Sequence, residues 1–176
     1  MKIYALRHGH TNYNQLRLCN GDPQKDVHLT KTGIRQAEAA ALELSGIPLE
    51  RIFVSQLPRT RQTAEILNHY HHVAIESRAE INDILTGFED RPVKEYQAAI
   101  VKDPVRCRPT NGESLLDYRE RVLDFLHWLR DCHYSTVAMV VHEETLRIVY
   151  GYFNHLKEDD LPSLSFRNCQ VLCFET

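Results

Sequence analysis

The sequence predicts an α/β fold, a three-layer α/β/α sandwich with a mainly parallel central sheet. Three observations lead there. Short apolar runs recur along the chain, at Ile3–Leu6, Arg51–Ser55, Val73–Glu76, Val137–Val141 and Cys169–Glu175. Stretches with three- and four-residue apolar spacing lie between them, and strands alternating with helices form βαβ units with helices on both faces of the sheet. Finally, 176 residues, 43% of them hydrophobic, allow a single domain over 1–176 to bury a core without disulfides or metal.

Each element has a local cause. Ile3–Leu6 reads as a short buried strand running straight into Arg7. Thr30 or Thr32 can cap a helix with apolar positions Ile34, Ala37, Ala41 and Leu44, stopped by Gly46. Pro58 suits the first turn of a helix running to about Tyr70. Glu80–Gly112 has little periodicity, holds Pro92, Pro104 and Pro109, and reads as an excursion over one sheet edge. Ser114 and Asp117 have capping-box spacing, although Asp is shorter than the usual Glu or Gln. Leu115, Tyr118, Val122, Phe125, Leu126 and Leu129 then form one apolar stripe. The last helix follows His142 and ends near Phe153.

Composition excludes several classes. A formal charge of −3 argues against a nucleic-acid partner held by a global positive field. Val137–Val141 is the longest wholly apolar run, far below the ~20 residues of a membrane helix, so no membrane partner is expected. Arg7-His8 interrupts the N-terminus too early for a secretory apolar region. The five cysteines are odd in number and lack a Cys-x-x-Cys pair, which fits reduced thiols in the cytoplasm.

The chemistry gathers at strand ends, where open parallel sheets bind ligands. The first strand delivers Arg7-His8-Gly9, the Arg51–Ser55 strand leads to Arg59, and Val137–Val141 leads to His142. Guanidinium forks suit phosphate, and imidazole suits nucleophilic attack on it or hydrogen bonding to it. Taken singly each has a plainer explanation: Arg59 and Arg61 as a solvated helix face, His142 as a satisfied buried histidine. Convergence on one rim makes coincidence a poor account. The His69–His72 run lies at a helix end with no ligating Cys or Asp beside it and reads as a solvated turn.

These residues resemble the motifs of the histidine phosphatase superfamily, in its phosphoglycerate-mutase-like branch. Arg7-His8-Gly9-His10-Thr11-Asn12-Tyr13-Asn14 is similar to Arg-His-Gly-x-Thr-x-x-Asn. Asn20-Gly21-Asp22 resembles Gln-Gly-x-x-Asp with Asn for Gln, and Leu29-Thr30 and Gly33 with Gln36-Ala37 continue the likeness. Ser55–Ala64 resembles the second-arginine motif, and Gly112-Glu113-Ser114 with Asp117 and Arg121 the Gly-Glu-Ser segment. Val140–Arg147 resembles the second-histidine segment, with Glu143-Glu144 where a pair of glycines is commoner.

The resemblance implies roles. His8 attacks phosphorus and carries it as phosphohistidine; Arg7, Arg59 and His142 hold the non-bridging oxygens. Asn14 is similar to a phosphate-touching position, Asn20 and Gly21 to a substrate-binding one, and Glu113 orders the pocket or a neighbouring basic group. The proton donor falls at Asp83, in Ile81-Asn82-Asp83-Ile84 with Gly87 downstream; placing it at Glu80 keeps a Glu but loses that glycine register. Fixed cations neutralise the charge, so neither metal nor cofactor is expected.

The expected activity is hydrolysis of a small phosphorylated metabolite. The alternative is a phosphoglycerate mutase, with an inactive phosphate-binding module a further one. Mutases of the family are usually longer, and only 29 positions separate Asp83 from Gly112, leaving little for a lid that excludes water. His10, Tyr13, Arg17, Phe88, Arg91, Tyr96 and Arg108 make an aromatic, basic candidate lining suited to a nucleotide-like or polyanionic ester.

Overall fold

A computed structural model describes residues 1–176. Five strands, β1 (Lys2–Arg7), β2 (Arg51–Val54), β3 (Ala74–Ser77), β4 (Thr136–Val141) and β5 (Val171–Glu175), form one sheet in the order β3-β2-β4-β1-β5. The first four are mutually parallel, and β5 closes one edge antiparallel to β1. This is the expected α/β sandwich.

Strand alternation assigns the two faces. Ile3, Ala5, Phe53, Val137, Met139 and Val141 point into one core with Tyr118, Val122, Phe125 and Leu129 of α5 (Leu115–Asp131) and Leu146, Ile148 and Val149 of α6 (Glu143–Phe153). Leu6, Ile52, Val54, Ala138 and Val140 point the other way, onto Ala37, Ala41 and Leu44 of α2 (Lys31–Leu44) and Ala64 and Leu67 of α3 (Pro58–Leu67). All six β4 residues are buried because both its faces are covered.

Several boundaries move, each for a local reason. Thr30 rather than Thr32 caps α2, its hydroxyl accepting from the Gly33 N–H at 3.2 Å, and Ile34 remains exposed. Helix α3 ends at Leu67, not Tyr70, because the Asn68 side chain turns to pair with both backbone groups of Val73 at 2.9 Å. The final strand starts at Val171: Cys169 has φ 56°, which an extended ladder does not accommodate. The Glu80–Gly112 excursion contains a helix, α4 (Val93–Ile100), and Thr11 opens the short α1 (Asn12–Leu16) through a capping box with Asn14. No helix is long and apolar enough to cross a membrane.

Two contacts aim the nucleophile strand. A Cβ at Gly9 would stand 2.6 Å from the Gly33 carbonyl oxygen, so glycine permits the start of α2 to approach the β1 exit. On the other side the chain before β5 wraps Arg7 and His8: Cys169 N–H donates to the Arg7 carbonyl at 2.9 Å, and Asn168 Nδ2 to that of His8 at 2.8 Å.

Candidate active site

His8 leaves the end of β1 almost fully buried, and its bonds fix its tautomer. Nδ1 lies 2.8 Å from the Gly9 carbonyl oxygen and must carry a proton to bond it. Nε2 lies 3.2 Å from Arg59 Nε, which can only donate, so Nε2 is unprotonated and its lone pair accepts from that guanidinium. Burial first, then the charges of Arg59 and Arg7 and the nearby His142, hold the His8 pKa well below the usual imidazole value. His8 is therefore a neutral base facing a guanidinium.

Arg59, in the first turn of α3, is the hub. It donates to Asn20 Oδ1 at 2.8 Å, the Asn20 carbonyl at 3.0 Å and Asp83 Oδ2 at 2.7 Å, and approaches His142 Nδ1 at 3.3 Å. His142, at the N-terminus of α6, rests its Nε2 2.9 Å from Ser55 Oγ, and burial with the Arg59 and Arg7 charges keeps it neutral as well. Arg7 reaches Glu143 Oε2 at 2.5 Å and the Phe166 carbonyl at 2.9 Å, while its buried Nε has no partner. An unpaired buried guanidinium N–H favours an incoming acceptor oxygen.

Asp83 is positioned by a second guanidinium. Arg121 donates to the carbonyls of Glu80, Asn82 and Asp83 at 2.8 to 3.0 Å, while Glu113 grips Arg121 Nε and Nη2 at 2.8 Å. Glu113 thus orders a basic group, and through it the Asp83 loop. Asp83 Oδ2 also stands 3.4 Å from His142 Nδ1. Gly87 has φ +71°, which accounts for the glycine in that register. Glu80 is paired with Arg78 at 2.6 Å, which lowers its pKa, and does not line the cleft.

The cleft holds about 270 Å³ and is lined by Arg7, His8, Asn14, Asn20, Arg59 and Asp83 among others. Asn14 Oδ1 is committed to the Thr11 N–H at 3.1 Å. Gly21, expected to bind substrate, does not line the cleft; its N–H is bonded to Glu89 at 2.7 Å. Of the expected variable lining, Tyr13 and Tyr96 face the cleft, whereas Arg91 turns to Glu95 and Arg108 to Asp117. The basic lining is a correction: local acids satisfy those arginines, and Glu143, Glu144 and Arg147 occupy the wall instead. Ser55 and Thr63, whose hydroxyl accepts from the Gly9 N–H at 3.0 Å, support the site and lie inside the Ser55–Ala64 motif.

A neutral imidazole among fixed guanidiniums at the strand ends of an α/β sheet defines a phosphoryl-transfer type of site. The profile of the histidine phosphatase superfamily, branch 1, matches residues 3–176. The chain belongs to that superfamily and is an enzyme of the histidine phosphatase type. It is 27% identical to the adenosylcobalamin/alpha-ribazole phosphatase of Escherichia coli K12, over 85% of this chain and 77% of that one. It is 28% identical to a Yersinia pestis protein described as "Probable phosphoglycerate mutase GpmB", over 69% of this chain but only 60% of that one. The alpha-ribazole phosphatase of Shigella flexneri shares the fold, with a TM-score of 0.88 at 21% identity over 98% of this chain and 89% of that one.

Proposed function

We propose that the chain, acting as one catalytic unit over 1–176, hydrolyses a small phosphorylated metabolite through phosphohistidine on His8. The observation that carries this reading is the His8 tautomer, with Nδ1–H anchored to Gly9 and an unprotonated Nε2 whose lone pair faces Arg59.

That lone pair attacks phosphorus while the ester P–O bond breaks in line with it. Arg7, Arg59 and His142 stabilise the charge spreading over the non-bridging oxygens. Asp83, as general acid, gives a proton to the departing alkoxide once the phosphoryl oxygens have taken over Arg59. Water then attacks the phosphohistidine, Asp83 takes a proton from it, and phosphate leaves with His8 restored. A place in the cleft wall and the Glu113–Arg121 clamp support Asp83 in this role, and the position of Glu80 outside the cleft disfavours the alternative. Asn14 and Asn20 complete the phosphate end, Asn20 through its hold on Arg59. A cleft of about 270 Å³ fits a small ester. The five free cysteines suit a reducing cytoplasm.

Brief reaction with labelled substrate and an alkaline quench should trap base-stable, acid-labile phosphate on the chain. His8→Ala should abolish both trapping and turnover; near-normal turnover in that variant rejects the nucleophile. Chelator should leave the rate unchanged, because guanidinium groups supply the charge, and restoration by Zn²⁺ or Mg²⁺ after a loss would reject that part.

A further inference from the structure

Beyond its catalytic end, the cleft carries a closed charge balance. Its lining has three guanidiniums, Arg7, Arg59 and Arg147, and three carboxylates, Asp83, Glu143 and Glu144, with no lysine. Each guanidinium is already engaged. Asp83 holds Arg59 at 2.7 Å and Glu143 holds Arg7 at 2.5 Å. Arg147 is shared between Glu143 at 3.6 Å, Glu144 at 3.5 Å and the Leu164 carbonyl at 2.9 Å.

An entering phosphoryl group claims Arg7 and Arg59. A second anionic group on the same ester then finds no free cation in the wall. It finds Glu144, in the first turn of α6, whose one charged partner is Arg147 at 3.5 Å, shared with Glu143. Much of the remaining wall is apolar, with Leu18, Val27, Ile84, Val93 and Ile100. The polar side chains beside them, Tyr13, Thr86, Tyr96 and Gln97, carry no positive charge to offset the repulsion.

We infer that Glu144 is a charge filter, selecting phosphate monoesters whose alcohol half bears no second negative charge and offers it a hydroxyl or ammonium donor. Carboxylated and doubly phosphorylated esters are rejected. The filter rests on the phosphomonoesterase reading above, and it favours water over a carboxylated alcohol as the phosphoryl acceptor. Burial and the neighbouring Asp83 charge raise the Glu144 pKa, against the opposing pull of Arg147 and Arg7. A carboxylate whose one cationic partner is shared gains from a donor.

Glycerol 3-phosphate and 3-phosphoglycerate make a matched pair, differing by a hydroxymethyl group against a carboxylate. Each is measured as a competitor of p-nitrophenyl phosphate hydrolysis. The wild-type chain should bind glycerol 3-phosphate the more tightly. Glu144→Gln should reduce that preference about tenfold, the order expected for one unit charge acting through partly solvated protein. Arg147→Gln should increase it, whereas a purely structural role would move both variants the same way. Equal competition by the two esters, or a preference that Glu144→Gln leaves in place, overturns the filter. Failure of the wild-type chain to hydrolyse p-nitrophenyl phosphate, with no phosphate trapped on His8, overturns the phosphatase reading and the filter with it.

Discussion

Two walls meet at the cleft, and different forces hold them. Arg7 ends β1, and His8, Arg59 and His142 follow the ends of β1, β2 and β4, three interior strands bonded on both sides, with β4 buried throughout. The α4 wall supplies Val93, Tyr96, Gln97 and Ile100, yet no residue of that helix is buried. Groups that must meet a reacting phosphorus within tenths of an ångström are mounted on the element that moves least. Groups that meet the variable half of a substrate sit where packing constrains them weakly.

Asp83 tests the boundary between these walls with the largest effect. Asp83→Asn should slow an alkyl phosphate by about 10²–10⁴-fold and p-nitrophenyl phosphate much less, since nitrophenolate leaves without a proton. Steady-state rates on both esters decide it. Equal slowing would make Asp83 part of the phosphate-holding set alone.

The buried histidines bear on folding as well as chemistry. His8 and His142 both have pKa values held below the imidazole range, so below about pH 6.5 the unfolded chain binds more protons than the folded one. Their contribution is fully present above that pH and declines as pH falls, by up to about 1.4 kcal/mol per pH unit for each histidine. Urea midpoints between pH 7 and 5.5 should fall accordingly, with His142→Asn removing about half of the histidine part of the slope. A slope identical to wild type would mean that His142 is not held neutral.

The smallest effect belongs to the α4 wall. Tyr96→Ala should raise KM several-fold, leave kcat within about twofold and cost under about 1 kcal/mol of stability, as a half-buried side chain would. A kcat loss as large as that of Asp83→Asn would erase the distinction between the walls.

That distinction also explains what could be read from sequence. Strand cores and the α5 stripe were legible because burial imposes a period on their residues, and the catalytic rim because strand ends are where such sheets place chemistry. Helix α4 was not legible: without a buried face, its sequence keeps no clear register. The arginine lining was misjudged for a different reason. Arg91 finds Glu95 four residues on, and Arg108 finds Asp117, ion pairs decided by local geometry rather than by composition. The Glu113–Arg121 clamp was visible only as motif letters, since its work is done on backbone carbonyls that carry no sequence signature.

The wrapping of the β1 exit by Asn168 and Cys169 has a consequence for biosynthesis. The strand bearing His8 is synthesised more than 120 residues before its two sheet neighbours, β4 and β5, and before the Asn168 and Phe166 contacts. Until β4 emerges, the nucleophile strand therefore waits without its partners, its two edges open. A nascent chain arrested before residue 166 would lack the bonds that orient Arg7 and His8, and catalytic competence should emerge abruptly once residues 166–175 are free of the ribosome.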